Sequence, residues 1–105
     1  TKVKNEEPTY YAPGSKVNTS QFASGSIVEG EVIKSVISRN VQIRKNSLVK
    51  ESIIFPLVLI GEGAQVEYAI VDKGAEIAEG VVIRGTAENP VVIKKGEKVT
   101  EDILS

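Results

Sequence analysis

The sequence predicts an all-β chain wound as a parallel β-helix, a solenoid with three short strands per coil. Two observations carry this. Residues 35–85 divide into three copies of one 17-residue unit, SVISRNVQIRKNSLVKE, SIIFPLVLIGEGAQVEY and AIVDKGAEIAEGVVIRG. Stacked, their large aliphatic columns agree: Ile37, Ile54 and Val71; Ile43, Ile60 and Ile77; Val49, Val66 and Ile83. The second observation is that each large residue has a smaller one two positions before it. These are Ser35, Ser52 and Ala69; Val41, Val58 and Ala75; Ser47, Ala64 and Val81. Alternation with period two makes each step a short strand with two inward side chains. A short fixed period marks a solenoid, whose coils bury apolar residues only by stacking on one another. A sandwich of alternating strands does not explain three columns repeating together.

The chain in order supports the same reading. Residues 1–16 read as a linker or strap: they are charged, then interrupted by Pro8 and Pro13, which favour an extended path. Tyr10 and Tyr11 are placed to cover the open end of the prism. Residues 17–105 read as the β-helix domain. Its first coil, residues 20–34, fits if two residues are missing after Gly30, which puts Phe22, Val28 and Val32 in the three large columns. Val17 belongs to an incomplete coil before it. Asn40, Gly63, Gly74 and Gly80 sit between strands, where turns need positive φ. Pro56 falls in a turn column beside Arg39 and Lys73, where it removes no ladder donor. Lys50, Glu67 and Arg84 form an outward column of alternating charge. In the last coil, TAENP (86–90) is expected to replace the first strand. Ile93 and Val99 are then expected in the second and third large columns with Gly96 at the turn between, and the tail EDILS is expected to cap the end or fray.

Composition narrows the function. At 105 residues the chain is one domain. It has no cysteine, and so neither a disulfide frame nor a thiolate metal site. Net charge is −1 with charges interspersed, giving no electrostatic case for nucleic acid or membrane partners. No apolar run suits a membrane span and no signal peptide is evident, which points to a cytoplasmic protein. No methionine occurs, not even an initiator, so a piece of a longer protein or a processed one is expected. The absence of histidine is the most decisive feature. It removes the usual general base, the partner of a serine nucleophile and a histidine zinc site. No glycine-rich phosphate loop is present, because the glycines recur with the coil. Asp72 and Glu76 are near in sequence but face outward from different strands. No catalytic, cofactor-binding or metal-binding residue is assigned.

Two outward features remain. Val36, Ile53 and Ile70 stack in one outward column with Phe55 alongside, a candidate interface. Lys34, Arg39, Arg44, Lys45 and Lys50 surround a single coil with Glu51 the only acid in that span, a candidate anion-effector patch.

The pattern resembles hexapeptide-repeat proteins, most clearly in Ile60-Gly61-Glu62-Gly63-Ala64; that resemblance implies a left-handed winding. More narrowly, KSVIS, ESIIF, GEGAQVEYAIVDKGAEIAEG and PVVIKKG resemble the C-terminal domain of glucose-1-phosphate adenylyltransferase, with EYAIVDKGAEIAEG the most specific part. EEPTYY resembles the linker after that family's catalytic domain. PVVIKKGEKV is closer to the regulatory subunit of the Firmicute-type two-subunit enzyme. The resemblance implies a nucleotidyltransferase domain outside this sequence that makes ADP-glucose from ATP and glucose 1-phosphate with Mg2+, for glycogen synthesis. It further implies a hetero- or homotetramer, with this domain serving assembly and allosteric coupling against the catalytic domain and partner subunits. Alternatives on the same helix are another sugar-nucleotide pyrophosphorylase, such as a mannose-1-phosphate guanylyltransferase, or a hexapeptide acyltransferase. The missing histidine argues against the acyltransferase.

Overall fold

The computed structural model describes residues 25–104 together with the backbone of three earlier strands. Those are β1 (Tyr10–Tyr11), β2 (Lys16–Asn18) and β3 (Gln21–Phe22). The next coil holds β4 (Ile27–Val28), β5 (Glu31–Ile33) and β6 (Val36–Ile37). Then come β7 (Gln42–Ile43), β8 (Leu48–Lys50), β9 (Ile53–Ile54), β10 (Leu59–Ile60), β11 (Gln65–Glu67) and β12 (Ala69–Val71). The chain closes with β13 (Glu76–Ile77), β14 (Val82–Arg84), β15 (Val91–Ile93), β16 (Lys98–Val99) and β17 (Ile103–Leu104). Every third strand pairs in parallel, giving three sheets in the orders β3-β6-β9-β12-β15, β1-β4-β7-β10-β13-β16 and β2-β5-β8-β11-β14-β17. These are the first, second and third faces of a three-sided solenoid of about five turns. Neither a helix nor an antiparallel hairpin occurs among the described residues.

The core is the set of columns that the repeat predicts. Both the large aliphatic columns and the small ones are buried through the three full coils. The small columns also do polar work. The Ser52 amide donates to Ser35 Oγ at 3.1 Å and the Ala69 amide to Ser52 Oγ at 3.2 Å. Each hydroxyl in turn donates to a carbonyl two residues back, Ile33 or Lys50, at 2.9 Å. A serine is thus small enough for the inner corner and completes the ladder where an alanine would not. Most corners have positive φ. One corner column holds Asn40 and Leu57, a second Asn46, and a third Lys34, Glu51 and Tyr68, the other members being mostly glycine.

The shortened first coil has the expected register, with Phe22 opposite Ile37, Val28 opposite Ile43 and Val32 opposite Val49. Val17 pairs with Val32 in the incomplete coil before it. β1 pairs with β4 and so adds a strand to the second face from within the stretch read as linker.

The last coil corrects the sequence reading. Ile93 lies opposite Val71 in the first large column and Val99 opposite Ile77 in the second. Gly96 occupies the corner column of Gly74, since its amide bonds to Lys73 O as that of Gly74 bonds to Pro56 O. Ile103, in the tail expected to cap or fray, pairs with Ile83 as the final strand of the third face. The reason is that residues 86–90 are an insertion, not a substitute strand. The loop closes on itself: Thr86 N and Asn89 N each donate to the other's carbonyl oxygen at 3.1 Å, and Asn89 N also donates to Thr86 Oγ1. It returns the chain to where it left, so the coil resumes complete. This coil is shortened between Val99 and Ile103, as the first is between Val28 and Val32. The Val82 amide, whose counterparts Leu48 and Gln65 bond to the next coil's backbone, instead donates to Asp102 Oδ1 at 2.9 Å.

Candidate interface on the first face

Strand alternation puts one residue of each first-face strand outward. Val36, Ile53 and Ile70 are in direct register, and Val92 follows Ile70 in the next coil. Val36, Ile53 and Val92 are 42%, 43% and 61% exposed, and Ile70 is half-buried. The structure therefore brings together the three aliphatic residues predicted and lengthens the stripe by Val92. That residue was missed because the insertion at 86–90 shifted the apparent register; pairing VVI with AIV across the loop would have found it.

Phe55, also predicted, lies beside the stripe at 39% exposure. Two residues on, Leu57 is 55% exposed at the corner leading to the second face, with φ 65°. Arg39, Asn40, Pro56, Leu57 and Lys73 line a groove of about 330 Å³ there. Leu57 was not anticipated. The available signal was its place in a column otherwise filled by asparagine or glycine.

The five residues of the candidate anion patch are not brought to one place. Lys34 stands at the corner before β6, Arg39 at the corner before β7, and Arg44 and Lys45 at the corner before β8, while Lys50 closes β8. Arg44 Nε lies 3.3 Å from Glu29 Oε1 on the neighbouring coil. In the outward charge column, Glu67 Oε1 pairs with Arg84 Nε at 3.6 Å. Asp72 Oδ1 accepts the Lys73 amide at 2.6 Å, a local turn bond, while Glu76 is exposed on the second face. Among the described residues no group of three or more histidine, cysteine, aspartate or glutamate side chains is positioned to hold a metal ion. No helix long and apolar enough to cross a membrane occurs among them.

Three stacked faces, inward aliphatic columns and a corner every fifth or sixth residue are the geometry of a hexapeptide solenoid. The profile of the GlmU-like C-terminal hexapeptide family matches residues 11–102. The chain belongs to this family. It is a hexapeptide β-helix domain. Over 96 residues it is 41% identical to the glycogen biosynthesis protein GlgD of Bacillus subtilis, covering 91% of this chain and 28% of that protein. Over 95 residues it is 34% identical to a glucose-1-phosphate adenylyltransferase of Bacillus thuringiensis, covering 89% of this chain and 25% of the relative. Both are matched over their C-terminal region, and the chain spans about a quarter of their length. Among solved structures, PerB from Caulobacter crescentus, crystallised with CoA and GDP-perosamine, matches with a TM-score of 0.56 at 17% identity, over 95% of this chain and 52% of that one. At that identity the likeness extends to the fold, a left-handed parallel β-helix, and no further.

Proposed function

We propose that this hexapeptide domain is the assembly and allosteric-coupling module of a glucose-1-phosphate adenylyltransferase subunit, of the regulatory kind, and does no chemistry itself. In this reading ATP, Mg2+ and glucose 1-phosphate are handled by a nucleotidyltransferase region elsewhere in the subunit or its partner. The domain contributes a rigid prism that holds subunits in register and passes effector signals between them. The observation that carries the reading is the outward stripe Val36–Ile53–Ile70–Val92 with Phe55 beside it. Solenoid faces in water are usually polar, and a contiguous apolar patch marks a contact surface. The lack of any histidine supports the non-catalytic part, because acyl transfer on this scaffold would need a base.

The test replaces Ile53 and Phe55 together with serine in the subunit carrying this domain. Assembly with the adenylyltransferase partner and effector response are expected to weaken together, with the circular dichroism spectrum retained. Unchanged assembly and unchanged effector response in a folded variant would overturn the proposal. The domain alone is expected to form no ADP-glucose; reproducible turnover would overturn its non-catalytic part.

A further inference from the structure

We draw no further inference here: the strongest candidate, the exposed apolar corner at Phe55 and Leu57 with the groove between Arg39 and Lys73, adjoins the first-face surface already proposed for assembly, and nothing in the structure shows what covers it.

Discussion

Gly74 and Gly85 are glycine for different reasons, and alanine and asparagine substitutions separate them. At Gly74 φ is 73° and a Cβ would meet nothing within 4 Å. Only the backbone region penalises a side chain, by about 1–2 kcal/mol for alanine. Asparagine is expected to cost about half of that or less, because Asn40 already holds this column at φ 57°. At Gly85 a Cβ would lie 2.5 Å from Tyr68 O, 2.7 Å from Val91 N and 3.0 Å from Asn89 O. All three are backbone atoms, and two of them form the 3.0 Å bond from Val91 N to Tyr68 O that returns the chain from the 86–90 loop. The coil must therefore open. Overpacking costs about 1–3 kcal/mol, and weakening that bond adds about 0.5–1.5 kcal/mol. Gly85→Ala is then expected to cost roughly 2–4 kcal/mol, and asparagine to do no better. One kcal/mol corresponds to about 4–8 °C in a domain of this size. Thermal melts should therefore place Gly85→Ala roughly 10–30 °C below wild type and Gly74→Asn within a few degrees of it. Hydrogen exchange should localise the Gly85 damage to Val91–Leu104, because each coil contacts only its neighbours. The reasoning is refuted if Gly85→Ala melts with wild type, or if asparagine at position 74 costs as much as alanine.

Two further outcomes follow from the packing. Ile60→Ala, in a fully buried position of a central coil, should lose about 2–5 kcal/mol by denaturant unfolding, whereas Val99→Ala in the last coil should chiefly raise exchange in β15–β17. Asp102→Ala should cost about 0.5–1.5 kcal/mol and speed exchange of the Val82 amide, while Asp102→Asn, which keeps an acceptor, should restore most of both; equal loss in the two variants would mean the carboxylate does not cap that amide.

The fold was legible because the interior of a three-sided solenoid is nearly one-dimensional. Each inward position meets its equivalent one coil away, so a column that fits once must fit again, and the repeat is written directly into Ile37, Ile54 and Val71 and their fellows. Legibility failed where period and geometry part. An insertion of five residues at 86–90 leaves VVIKKGEKV compatible with two registers. Only the pairing of Ile93 with Val71 and Ile103 with Ile83 decides between them. Corners carrying Lys34, Glu51 and Tyr68 were also hidden, because positive φ there is imposed by stacking and not by residues that prefer it.

Outward positions carry less information, since a solvated side chain is constrained by nothing in its column. The basic residues around one coil looked like a cluster in the sequence because five of them fall within residues 34–50. The three-sided cross-section scatters them over three corners, and Glu29 from the coil below meets Arg44. Nearness along a solenoid is therefore a poor guide to a site, whereas a shared column is a good one: Val36, Ile53 and Ile70 lie 17 residues apart and form one stripe. Breaks in a column's own rule say more still. Leu57 contradicts the preference of its corner while standing 55% exposed, and such local inconsistency is where function tends to sit.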